Sequence, residues 1–282
     1  METANTPQER VGSLPKQYLQ PLLSTVRRIF SSQRAEYVFG QVVEGTPTKE
    51  TARFKHHNDN PAIEDRAEPL PDTLNLVRTW RSSFELASLE IDLDVLKIYW
   101  ESRLGTREAK LRLIEITAVI IHHLAALLFE HTNQPPNKRP EAKNGFAMVD
   151  GYFQRTDEII ESLYPTYLFH NHYLDSDIYP MGVADIVAYW AETHLFGGVF
   201  LDVLLHPDNR FQIFKLSDAQ IDQFIGFGLY GEPTFPCPFP MKTERDTVRL
   251  SGEHTMHLNV YRSKNDRKVP EEPPRLSCVR RA

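Results

Sequence analysis

The sequence predicts an α+β protein that is mainly helical: a helical body with one small antiparallel hairpin at about 199–216. Three observations carry this reading. Apolar residues recur at helical spacing in several stretches that begin and end with capping residues. The segment from Ile116 to Phe129 is apolar on nearly every side, as in a helix surrounded by other elements. Clear strand alternation with turn chemistry occurs in one place, where Val199, Leu201, Val203 and Leu205 alternate and Phe211–Leu216 can return beside them.

Along the chain, residues 1–12 read as a disordered N-terminus. A helical subdomain is expected over 13–143, a helix–hairpin–helix segment of the same body over 144–230, and a proline-rich, mostly irregular tail over 231–282. Ser13 can cap a first helix with Pro15 in its first turn and an apolar stripe of Tyr18, Leu22, Val26 and Ile29. Tyr37–Val43, rich in β-branched and aromatic residues, reads as a short strand weakened by Gly40. Residues 45–71 carry four prolines and no apolar period, which predicts a mobile loop; His56 and His57 inside it read as solvated.

Asp72 begins a helix through Leu74, Val77 and Trp80, and Leu93 to Leu104 form another that Gly105 closes. Thr106 then caps the central helix, which runs to about His131. His122 and His123 interrupt its apolar surface and read as hydrogen-bonded histidines at the edge of the core. Proline-rich 134–142 is a connector, and 156–164 can form a short helix.

The densest chemistry lies at 166–198. Tyr167–Tyr173 is extended by propensity, which would turn His170 and His172 to one face. Pro180 suits a first helical position. In the helix that follows, Val183, Ile186, Val187 and Trp190 form an apolar stripe. Asp185, Tyr189 and Glu192 form a polar one at i, i+4 and i+7. Gly197-Gly198 ends this helix, and Ser217 with Gln220 opens another through a capping box.

Composition limits the function classes. A length of 282 residues with 41% hydrophobic and 25% charged residues suffices for a substantial core. The net charge of −6 gives no support to nucleic-acid or anionic-membrane binding. The first ten residues lack a basic and then apolar leader pattern. The most apolar run, Thr117–Phe129, is shorter than the roughly 20 residues of a bilayer span. Cys237 and Cys278 make neither a disulfide framework nor a zinc cluster. These features predict a cytoplasmic protein with a small-molecule substrate or ligand, no nucleic-acid or membrane partner, no cofactor and no metal. Gly226-Phe-Gly228-Leu-Tyr-Gly231 matches a dinucleotide-binding pattern, but a helix precedes it where a strand is required.

The phrases Tyr179-Pro-Met-Gly182-Val-Ala-Asp185 and Tyr189-Trp-Ala-Glu192, with Phe169-His170, Tyr173 and Asp175 before them, resemble a group of uncharacterised proteins from filamentous fungi. The likeness covers about 162–226. In that group a second histidine directly follows the first, whereas here Asn171 intervenes before His172. The resemblance implies a fungal source and a place near specialised-metabolite pathways, and it brings no established activity.

The leading functional expectation is a small-molecule enzyme using non-redox acid/base chemistry, of isomerase, hydro-lyase or hydrolase type. His170 would be the base, oriented by Asp175 or Asp177, with Asp185, Tyr189 or Glu192 as acid or substrate anchor. The alternative is a non-catalytic binding or scaffold protein in which these groups form a structural network. One concave pocket holding His170, Asp185 and Glu192 would favour the enzyme. Burial of each with protein partners at every polar atom would favour the alternative.

Overall fold

A computed structural model of the chain describes residues 7–52, 63, 65–132, 147–149, 152–154, 166–170, 173–174, 176–201, 204–206, 212–242 and 249–251. Its organising element is the helix α5 (Arg107–Thr132), preceded among the described residues by four helices. These are α1 (Lys16–Phe30), α2 (Gln33–Glu44), α3 (Pro71–Ser83) and α4 (Leu93–Glu101). The Thr106 hydroxyl accepts from the Ala109 N–H at 3.2 Å, so α5 begins where the sequence places it. α1, α2 and α4 all lie against α5, as do α6 (Val183–Phe196) and α7 (Asp218–Leu229). By length and composition α5 could cross a bilayer, yet 72% of its most apolar window is buried inside the protein. It is a core post.

Residues 7–12 depart from the expectation of disorder over 1–12, and residues 1–6 lie outside the described residues. Strand β1 (Gln8–Arg10) pairs antiparallel with β2 (Glu90–Asp92), with Glu9 opposite Ile91, and Val11 is fully buried. This pairing spans some eighty residues of sequence, and no local period announces it. α1 then buries Tyr18, Leu22, Val26 and Ile29, the stripe that the spacing predicts, and continues past Pro21 in its second turn.

Tyr37–Val43 is helical and not a strand. The Ser32 hydroxyl accepts from Ala35 N–H, Gly45 closes α2 at φ 65°, and Ala35, Val38, Phe39 and Val42 bury one face. Tertiary burial of that face overrides the β propensity of the same residues. Gly40 has a separate role: a Cβ there would stand 2.8 Å from Pro69, so its absence lets the chain before α3 approach α2.

The described ends of 45–71 are fastened to α2, contrary to a loop mobile throughout. The Gln41 side chain accepts from Thr48 N–H at 2.7 Å, Glu44 accepts from Leu70 N–H at 2.7 Å, and Thr48, Thr51 and Ile63 are buried. Arg66 bonds to both Glu44 and Thr46. Residues 53–62 and 64, with His56 and His57, lie outside the described residues.

Ribbon β3 (Ala147–Val149) and β4 (Tyr152–Gln154) pair antiparallel; the sequence reading contains neither strand. The helix expected at 156–164 lies outside the described residues. α6 starts at Val183, so Pro180 sits in the turn before it and Gly182, at φ 57°, is the residue preceding the helix. From Ala184 to Phe196 every residue of α6 is buried.

The expected single hairpin is part of a larger sheet. Strand β5 (Val199–Leu201) pairs with β6 (Leu204–His206), which pairs with β7 (Gln212–Lys215), which pairs with β8 (Arg249–Ser251). The long first strand of the prediction is thus two strands, with Leu201 opposite Leu204. Residues 231–242 carry no helix or strand, in keeping with an irregular region, and β8 is the strand among the described residues beyond them. Met241 N–H donates to Phe196 O at 2.8 Å, where a Cβ on Gly197 (φ 97°) would strike the Met241 carbonyl at 2.3 Å. Phe239 packs among Phe196, Phe224 and Phe227.

Trp190 is 3% exposed, with its ring 4.5 Å from His194. Trp190→Ala is expected to cost about 3–5 kcal/mol, read as a lowered urea midpoint. An unchanged midpoint would contradict this packing.

Candidate functional site

Two helices that are apolar nearly all round meet here, and each brings polar side chains to the contact. α5 and α6 form the most extensive helix pairing in the described structure. Asp185 and Glu192 are seven residues apart on α6, hence on one face and about 10.5 Å apart along the axis. An imidazole with a hydrogen bond at each end fits such a gap. His122 of α5 fills it: Nδ1 donates to Glu192 Oε1 at 2.8 Å and Nε2 donates to Asp185 Oδ1 at 3.1 Å.

The remaining carboxylate oxygens are also engaged. Asp185 Oδ2 accepts from Met181 N–H at 2.8 Å, which places a carboxylate over the start of α6, where a negative charge is favoured. Glu192 Oε2 accepts from Phe200 N–H at 3.3 Å, tying α6 to β5. His122, Asp185 and Glu192 are 7%, 6% and 0% exposed.

Burial pushes the His122 pKa down, but the hydrogen bonds and charges of Asp185 and Glu192 outweigh it and the net shift is upward. For Asp185, burial raises the pKa, while His122, the Met181 N–H and the more distant His123 lower it; the net shift is downward. The geometry agrees: between two ionised carboxylates, which only accept, both ring nitrogens donate, as in an imidazolium.

Aromatic rings line one side. Tyr189, between the two acids on α6, lies 4.5 Å from the His122 ring, stacks on Tyr173 at 4.2 Å and meets Tyr179 at 5.3 Å. His170 is fully buried and joins through Tyr173, whose ring is 4.8 Å away. The Tyr173 N–H donates to His170 O at 3.0 Å, so this segment turns back on itself instead of running extended.

Asp185, Tyr189 and Glu192 are therefore brought together, buried and not solvated, but the imidazole between the two acids is His122 and not His170. Asp177 is exposed in a short turn at Ser176–Ile178. Asp175 and His172 lie outside the described residues. His123 donates from Nδ1 to Val119 O at 3.0 Å, the satisfied core-edge histidine that the sequence suggests for both neighbours.

The sequence does contain a signal for His122. A polar residue inside an all-round apolar helix needs a partner from another element, and the acid stripe of a second such helix is the matching set. Among the described residues, no group of three or more His, Cys, Asp or Glu is arranged to hold a metal ion. The glycines at 226, 228 and 231 serve packing, since Cβ atoms there would meet Phe235, Thr25 and Arg28 at 2.3, 2.6 and 2.7 Å. No protein-family model matches the chain, and no curated protein or solved structure matches it significantly.

The two shifts set a pH window. A raised His122 pKa contributes stability that is complete below the ordinary histidine value of about 6.5 and lost as pH rises through the folded value. A lowered Asp185 pKa contributes stability present above about 3.9 and lost as pH falls through the folded value. The joint contribution is greatest at roughly pH 4–6.5. In Asp185→Asn the amide can donate to Nε2 of a neutral His122 while its oxygen still accepts from Met181 N–H. Melting temperatures from pH 4 to 9 are expected to fall above about pH 6.5 in the native chain and to fall less in Asp185→Asn. An equal fall in both would contradict the assignment.

Proposed function

We propose that this chain is a non-catalytic binding or scaffold protein in which His122, Asp185 and Glu192 form a structural clamp. The observation that supports this reading is saturation. Both ring nitrogens of His122 and all four oxygens of the two carboxylates have protein partners, and all three side chains are buried. A general base needs a lone pair within reach of substrate, and an imidazolium donating at both ends offers none. As an acid it would have to release a proton from a nitrogen that a carboxylate already covers.

The second reading is the acid/base enzyme of the sequence expectation, with His122 taking the place given to His170. What favours it is the wall of Tyr173, Tyr179 and Tyr189 beside a histidine whose pKa is shifted upward.

Asp185→Asn separates the two, because it keeps the hydrogen bonds and removes a charge. Introduced into a deletion strain of the source organism and checked for native circular dichroism, the variant is expected to restore the parental metabolite profile. A folded variant that leaves the profile of the deletion strain would favour the enzyme.

A further inference from the structure

Away from the clamp, the N-terminal half of α5, α7, the second turn of α1 and the C-terminal end of α4 border a cleft of about 550 Å³. That volume lies within the range of about 300–1,000 Å³ typical of small-molecule sites. Its interior is apolar, with Leu113 of α5 and Ile225 of α7 among the lining side chains. The Tyr99 hydroxyl, the polar atom of another lining residue, is turned to the backbone and donates to Tyr18 O at 3.0 Å.

One side is aromatic: Tyr230 and Phe235 stack at 5.8 Å with 30° between their planes. Gly226 makes this possible, because a Cβ there would stand 2.3 Å from the Phe235 ring. A glycine inside a helix is disfavoured relative to alanine, so the flat seat for Phe235 is held against helix propensity. Leu104 and Tyr230 line the cleft with 42% and 67% of their surface exposed, two of the five large apolar residues so exposed among the described residues. The charged groups of the lining are Lys110 and Asp222, and they neutralise each other across α5 and α7 at 2.7 Å.

We infer that this cleft is a binding site for an uncharged, largely apolar small molecule with a flat ring system, which stacks against Tyr230 and Phe235. The inference rests on the binding-protein reading above and names the ligand class. Charge complementarity selects the class. Lys110 and Asp222 leave the lining with no net charge, so a carboxylate or ammonium group entering the apolar cleft would lose hydration without meeting an unbalanced counter-charge. A neutral ring displaces water from apolar walls and leaves the pair intact.

The test uses the full chain and N-phenyl-1-naphthylamine, a neutral fluorescent ring compound, beside its sulfonated anionic analogue. The neutral probe is expected to bind saturably at one site, and the sulfonate at least about tenfold more weakly. Two variants probe the walls. Tyr230→Ser removes an exposed stacking ring with little demand on the core, and Ala109→Phe places a ring inside the cleft. Tyr230→Ser should weaken the neutral probe about tenfold, the scale of a lost aromatic contact together with its buried area, and Ala109→Phe should weaken it at least about tenfold by filling the space the probe would occupy. Asp185→Asn should bind the probe like the native chain.

Absence of saturable binding, or equal binding in both wall variants, would overturn the site while leaving the clamp reading to its own test. Loss of binding in folded Asp185→Asn alone would instead count against the separation of clamp and cleft. Sedimentation of the native chain and Tyr230→Ser covers the other occupant: a native dimer that Tyr230→Ser dissociates would assign the cleft to a second copy and overturn the small-molecule site.

Discussion

Asp185 and Glu192 could not remain inside this protein as they are without His122. A buried carboxylate is tolerated when its charge is paired and its oxygens are hydrogen-bonded. Here both conditions are met by one imidazole and two backbone N–H groups. Removing one partner of such a buried set commonly costs about 3–5 kcal/mol, although the intact set need not outperform well-packed apolar residues. Its value to the fold lies in selection. α5 and α6 are buried on nearly every side, and the polar contacts add a register constraint to their apolar packing. A slip of one helical turn, about 5.4 Å, would separate both ring nitrogens from their acceptors and leave buried charges unpaired.

The clamp also reaches beyond the two helices. Through Met181 N–H, Asp185 fixes the turn that feeds α6, and through Phe200 N–H, Glu192 fixes the first strand of the sheet. The far end of α6 is held independently. Arg34 donates to His194 O at 2.9 Å, and Met241 crosses behind Gly197 to meet Phe196 O. A helix buried on every side thus has its direction and register set at both ends by polar contacts, while apolar burial supplies the driving force. The cleft bounded by α5 and α7 lies in the same framework and draws its shape from Gly226, Tyr230 and Phe235.

Much of this was legible in the sequence wherever the information is local. Thr106, Ser217 with Gln220, and Gly197 mark helix ends that the structure reproduces, and the all-round apolar run after Ile116 identifies the post. The stripe Asp185–Tyr189–Glu192 was also legible as a unit. The cue to its partner, a histidine inside an all-round apolar helix, was outweighed because adjacency in sequence pointed to His170 while the pairing residue lies 63 positions before Asp185 on another helix. Non-local contacts decided the other differences. Tyr37–Val43 is helical because its buried face meets other helices, and residues 8–10 are a strand because 90–92 lies beside them.

The fold turns on His122 as an imidazolium donating from both nitrogens to buried carboxylates. Nitrogen-15 spectra of histidine-labelled protein at neutral pH read that state, with the His122 ring assigned through its own side-chain protons. Two protonated ring nitrogens with slowly exchanging N–H protons are expected, persisting to a pH at which exposed histidines have lost theirs. A His122 ring with one protonated and one bare nitrogen at neutral pH would contradict it.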